Sequence, residues 1–300
     1  MFRFVALFLF VLAGFLARPL SAQVEVESFE IEGRMVESVS PERLELLPAP
    51  LVIMLHGARR NSGYMADSIP LEKIATVGGF RAVYIDGSRL TRLYDDNWKG
   101  WNAGYCCGAA AAQGIDDLGT LDRIIARFED AGLVKDGRIY LVGHSNGAMM
   151  SYHYACSRPG RIAGVIGISG NYAMRDCPGA RNLDVLMIHG DLDNIITVAP
   201  SRSPVLGAIN TGLDAFSVFM REAGARVAVL RLPNAEHALA SVEVNVARET
   251  GLGLNTIVGR FVIGAPLFDI AIEEQDIGYR PEIFEPEGST IAPIEVAPLE

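Results

Sequence analysis

Apolar and polar positions alternate along this chain in blocks whose period changes. Leu51 to Leu55 is an unbroken apolar run ending in His56 and Gly57, the pattern of a strand buried on both faces of a mostly parallel sheet. A helix is predicted from about Met65 to Val77, stopped by Gly78 and Gly79, and then a strand from Phe80 to Ile85 that ends in Asp86 and Gly87. Ile115, Leu118, Leu121, Ile124, Ile125 and Phe128 recur at helical spacing, so Ile115 to Ala131 reads as a helix with one face on the sheet. Ile139 to Val142 is predicted as a strand and Asn146 to Cys156 as a helix. Further units follow at Ile162 to Ile168, Val185 to Ile188, the helix Leu213 to Ala223 and the strand Val227 to Leu232. At least five strands alternating with helices predict an α/β protein, its open, doubly wound, mostly parallel sheet covered by helices on both faces. Ser88 to Gly114 has no clear period, and Ala240 to Ile263 has a helical pattern interrupted by Gly251, Gly253 and Gly259.

The ends differ from this middle. Met1, Phe2 and Arg3 precede an apolar run from Phe4 to Leu16 and a small-residue stretch from Ala17 to Ala22, the layout of a secretory signal peptide. The run is shorter than the roughly 20 residues of a membrane span. Residues 1–22 are therefore expected to be removed on export, leaving a secreted or periplasmic protein with no stable membrane anchor. A single domain is expected over residues 23–264, and 265–300 form an acidic, proline-bearing extension. The formal charge of −10, with no clustered basic face, argues against nucleic acid as a partner.

Export changes how the four cysteines read, since oxidising compartments favour bridges. Cys106 and Cys107 are adjacent, and a bond between neighbours departs from ordinary disulfide geometry. The expectation is that this pair bridges to Cys156 and Cys177 in one of two ways. The alternative pairs Cys156 with Cys177 and leaves the neighbours free. No metal-ligand spacing accompanies them.

Chemistry concentrates in Gly143, His144, Ser145, Asn146 and Gly147. A GxSxG string between a strand and a helix is the nucleophile turn of an α/β-hydrolase domain, with the serine at the strand's C-terminal edge. A serine hydroxyl needs a base, and the base an orienting carboxylate, which in this fold follow in the order Ser, Asp, His. His153 lies two turns into the helix after Ser145 and cannot curl back. His237, in a loop after the strand Val227 to Leu232, suits the base. Asp193, past the strand Val185 to Ile188, suits the acid better than Asp191, and His189 is expected to shape that turn. Two N–H donors must hold the oxyanion. Asn146 and Ala58 are assigned, with His56 supporting the Ala58 loop. The expected reaction needs no metal or organic cofactor.

These segments resemble a known family. WNAGYCCG from Trp101, GIDDLGTLDRII from Gly114 and RIYLVGHSNGAMMSY from Arg138 are similar to the LpqC-type secreted esterases, which group polyhydroxybutyrate depolymerases with feruloyl esterases. The LHGA and IHGDLDN segments extend the resemblance over about residues 45 to 240. It implies an ester substrate, with Ser145, Asp193 and His237 as the triad. Two departures concern substrate choice. Ala238 and Leu239 follow His237 where Trp and Pro are common, and Ala58, Arg59, Arg60, Asn61 and Ser62 stand where a polar residue such as Gln is common. Trp98, Trp101 and Tyr105 are the candidates for an aromatic substrate surface. Peptidases and acyltransferases share such a triad, and a secreted binding protein can retain the fold without the chemistry.

Overall fold

The computed structural model describes residues 24–44, 46–89, 98–104, 106–171, 174–203 and 209–265. The expected signal peptide, all but the first residue of the C-terminal extension, and Tyr105 lie outside the described residues. The main sheet has eight strands: β1 (Val24–Ile31), β2 (Arg34–Pro41), β3 (Ala49–Leu55), β4 (Arg81–Ile85), β5 (Val134–His144), β6 (Gly164–Ile168), β7 (Asp184–Gly190) and β8 (Arg226–Leu232). Their spatial order is β1-β2-β4-β3-β5-β6-β7-β8. All pairings from β4 to β8 are parallel, and the β1–β2 hairpin joins antiparallel through β2 and β4.

Alternate side chains on these strands feed two separate cores. Leu51, Ile53 and Leu55 pack with Leu121, Ile124 and Phe128 of α4 (Asp117–Asp130), with α5 (Asn146–Ser157), and with Phe216 and Met220 of α6 (Leu213–Glu222). Val52 and Met54 face the other way, toward Met65 of α1 (Ser62–Ser68), Ala75 of α2 (Glu72–Gly78), Val242 and Val246 of α7 (Leu239–Thr250), and Ile257 and Phe261 of α8 (Leu254–Ile263). Burial on both sides is why these strands read as continuous apolar runs. α3 (Gly108–Ala112) is a single turn within the aperiodic stretch.

Three expectations change. The predicted helix Met65 to Val77 is two helices, because a residue before proline is pushed out of the helical region and proline lacks an N–H. Ile69, before Pro70, has φ −132° and ψ 74°. The pattern from Ala240 to Ile263 breaks at Gly251, which takes φ 72°, whereas Gly259 stays inside α8. The third concerns the cysteines. Cys156 is bonded to Cys177, as the alternative had it, but Cys106 is bonded to Cys107 rather than free, and the expected bridges between the two pairs do not form. Cys107 Sγ sits 3.9 Å from Met149 Sδ near the start of α5, whereas Cys156 is near its end. Seven residues of helix separate those points by about 10 Å, beyond any disulfide. Among the described residues, no helix is long and apolar enough to cross a membrane.

Candidate active site

Strand β5 runs into Ser145, which takes φ 55° and ψ −118° before α5 begins at Asn146. This backbone is held from both sides: Ser145 N–H donates to the Ile168 carbonyl at 2.8 Å, and its own carbonyl accepts from Met149 N–H at 3.1 Å. The two flanking glycines permit the turn. A Cβ on Gly143 would overlap the Gly147 backbone, and one on Gly147 would overlap the Leu55 and His56 carbonyls. Strain of this kind persists only where surrounding structure over-determines it.

His237 follows β8 on a loop and bridges to Ser145. The Ser145 hydroxyl donates to His237 Nε2 at 2.9 Å, and Nδ1–H donates to Asp193 Oδ2 at 2.8 Å. The other Asp193 oxygen accepts the N–H groups of Ile195 and Ile196 at 2.9 and 2.8 Å. Burial alone would raise the Asp193 carboxyl, but hydrogen bonds from His189 and His237 outweigh it and hold the group well below the usual carboxylate range. His189 Nε2–H donates to the Ile196 carbonyl at 2.6 Å and lies 3.3 Å from Asp193 Oδ2, so it shapes the acid-bearing turn. Asp191 is bonded instead to Arg231 at 2.8 Å. His153 is half-buried on α5, its ring against Gly104.

His144 packs its ring 5.2 Å from that of His237 and donates Nε2–H to the His237 backbone carbonyl at 2.8 Å. Burial, chiefly, and the His237 ring push its imidazole down to about 3, outweighing the His237 carbonyl and Asp193, which oppose them. His144 is therefore a neutral strut under the base.

The Ala58 loop is pinned by an independent set of bonds. His56 Nδ1–H donates to the Gly57 carbonyl at 2.7 Å, and Nε2 accepts from Gly87 N–H at 2.8 Å, which fixes one tautomer. Burial pushes this ring down to about 4. Lys99 forms an ion pair with Asp86, and its carbonyl accepts from Arg59 N–H at 2.8 Å. Asn146 is the first residue of α5, so its backbone N–H has no intrahelical acceptor.

Trp101 is a correction. Its side chain is fully buried, Nε1–H donates to the His56 carbonyl at 2.8 Å, and its backbone N–H donates to Asn146 Oδ1 at 2.7 Å. It locks the two oxyanion-candidate segments together from behind and offers no surface to a substrate. Trp98 is half-buried, with the Arg59 guanidinium 4.9 Å over its ring. A cleft of about 300 Å³ opens over Ser145, lined also by Ala58, His144 and His237. Arg60, Tyr64, Asn194, Ile195 and Glu236 also line it, and none of them stands out as a site residue in the sequence. Arg60 had carried a signal, as part of an unusual run after the first HG.

The strand order, the sharp serine turn and the strand-end positions of Asp193 and His237 define an α/β-hydrolase fold. Solved structures agree on this: a carboxylesterase from Mesorhizobium loti superposes with a TM-score of 0.52 at 13% identity, covering 73% of this chain and 95% of that one. A 2,6-dihydroxy-pseudo-oxynicotine hydrolase superposes with a TM-score of 0.52 at 12% identity, covering 82% and 69%. In sequence, residues 110–205 match the phospholipase/carboxylesterase family. A bifunctional acetylxylan esterase/xylanase of Neocallimastix patriciarum is 24% identical over 164 residues, 55% of this chain and 22% of that protein. A protein of Nocardia uniformis subsp. tsuyamanensis named as an esterase is 24% identical over 165 residues, 53% of this chain and 45% of that one. The chain thus spans less than half the length of either curated relative.

Proposed function

We propose that this protein is a secreted carboxylic ester hydrolase. The observation that carries the reading is the unbroken hydrogen-bonded chain Ser145, His237, Asp193 on a strained turn at the floor of an open cleft. Ser145 attacks the ester carbonyl as His237 takes its proton, Asp193 holds the imidazole in the required tautomer, and the Ala58 and Asn146 N–H groups receive the oxyanion. The alkoxide leaves with the proton from His237, and water, activated by the same histidine, cleaves the acyl-enzyme. The similarity to esterase relatives and to the phospholipase/carboxylesterase family supports this chemistry over peptide cleavage.

Within the esterases, the cleft favours aliphatic and oligoester substrates over feruloyl esters. Trp101 is withdrawn into the core, Ala238 stands beside the base, and among the described residues lining the cleft Tyr64 is the one Phe, Tyr or Trp. Export after removal of residues 1–22 is supported by the apolar leader, and the Cys156–Cys177 bridge is at home in an oxidising compartment.

The test is Ser145→Ala. It is expected to abolish hydrolysis of 4-nitrophenyl acetate and labelling by a fluorophosphonate while leaving the circular dichroism spectrum intact. Retained turnover would remove Ser145 as nucleophile. Turnover of methyl ferulate, 4-nitrophenyl butyrate and a 3-hydroxybutyrate oligomer is expected to rank ferulate last, and ferulate first would refute the substrate reading.

A further inference from the structure

We propose that Arg60 selects esters that carry a free carboxylate near the scissile bond. This rests on the reading of Ser145 as the nucleophile and names the class of substrate that site takes.

Arg60 lies two residues beyond Ala58 and lines the same cleft as Ser145. Its position is set by the loop itself, since its N–H donates to the Gly57 carbonyl at 3.2 Å. The guanidinium sits 4.6 Å over the ring of Tyr64, another lining residue. A cation held over a ring face spends no N–H donor on a hydrogen bond, so the donors along the guanidinium edge stay available to an acceptor. That edge has no carboxylate partner among the described residues, whereas Arg34, Arg158, Arg161 and Arg231 each hold one. The side chain is thus placed beside an aromatic ring and makes no ion pair with a described residue.

The side chain lines the cleft together with Ser145, His144 and His237. Among the described lining residues Arg60 is the one guanidinium and Glu236 the one carboxylate, so on a chain of formal charge −10 an anionic group of a ligand is drawn to the Arg60 side. A carboxylate is an acceptor-only, planar group that takes paired N–H donors from such an edge. Glu236, exposed on the same cleft and adjacent to His237, repels a second negative charge there. The fit is therefore a substrate with one carboxylate on the Arg60 side, such as a half-ester of a dicarboxylic acid or the acid end of a hydroxyacid oligomer.

The test compares mono-4-nitrophenyl glutarate with 4-nitrophenyl pentanoate, after subtraction of uncatalysed hydrolysis. The two acyl chains have the same length and differ in a terminal carboxylate. In the wild type, the kcat/KM ratio is expected to favour the glutarate ester about tenfold, the scale of a charge-assisted contact that stays partly solvated. The ratio falls to about one in Arg60→Gln, keeps part of its value in Arg60→Lys, and shrinks in about 1 M NaCl. Because both esters are measured on one preparation, the ratio is independent of how much of a variant is folded, and a purely structural role for Arg60 would leave it unmoved. An unchanged ratio in Arg60→Gln, with turnover of the neutral ester intact in the wild type, overturns this inference alone. A wild type that hydrolyses neither ester overturns the esterase reading and this inference with it.

Discussion

Lowering the pH from 7 to 5 is expected to cost this fold about 4 kcal/mol of stability through two buried histidines that frame the site, His56 and His144. Burial pushes the first down to about 4 and, with the His237 ring beside it, the second to about 3. An unfolded imidazole titrates near 6.5, so below that pH the unfolded chain takes up protons that the folded chain refuses. The stability is fully present above about 6.5 and drains as the pH falls, until His56 protonates near 4 and His144 near 3 in the folded state. At pH 5 each ring stands roughly 1.5 units inside this window, which is about 2 kcal/mol apiece. Asp193 acts elsewhere. Its carboxyl is lowered in the folded state, so its contribution is lost only as the pH falls below the unfolded carboxylate value of about 3.9. His153, lowered by burial, adds to the histidine loss with the same sign. Urea unfolding followed by tryptophan fluorescence, with buried Trp101 as reporter, at pH 7, 6 and 5 and fixed ionic strength, measures the loss. His144→Gln supplies a non-titrating donor for the His237 carbonyl and is expected to remove about half of the pH dependence. A change of less than about 1 kcal/mol between pH 7 and 5 in the wild type would refute the reasoning.

Three further outcomes follow from the site and its supports. Asp193→Asn turns an amide toward His237 Nδ1 and favours the tautomer that presents Nε2–H to Ser145; kcat for 4-nitrophenyl acetate is expected to fall about 10³-fold or more with little change in KM. Gly147→Ala places a methyl group on the Leu55 carbonyl, backbone that cannot yield, and is expected to cost roughly 3 kcal/mol or more in urea unfolding. The double variant Cys156→Ser, Cys177→Ser opens a loop with a sequence separation of 21, and loop-closure entropy predicts a loss of about 3 kcal/mol. A loss well under about 1 kcal/mol would show that the bridge does not constrain the unfolded chain.

How much of this was legible in the sequence depends on whether a signal was local. The strand Leu51 to Leu55 was legible because adjacent side chains enter two different cores, which forces an unbroken apolar run. The β1–β2 hairpin was not, although it completes the sheet. Glu25, Glu27 and Glu30 stand exposed on β1, an edge strand whose charges blunt further pairing and erase the apolar pattern that would announce it. The triad candidates were legible for a topological reason: parallel strands deliver their C-terminal ends to one edge, so residues just past β5, β7 and β8 had to be neighbours. Trp101 shows the opposite case. An indole in a glycine-rich loop reads the same whether it faces solvent or core, and what decides its role is the His56 carbonyl and the Asn146 side chain, each 45 residues away. The choice between the cysteine pairings, of which Cys156 with Cys177 was one, was hidden similarly, since only the placement of Cys107 beside Met149 reveals that α5 holds the two pairs apart. Arg60 lies between these cases. Its loop was visibly unusual, yet the meaning of its charge depends on Tyr64 lying under it and on no carboxylate among the described residues meeting it, a balance that only the folded chain assembles.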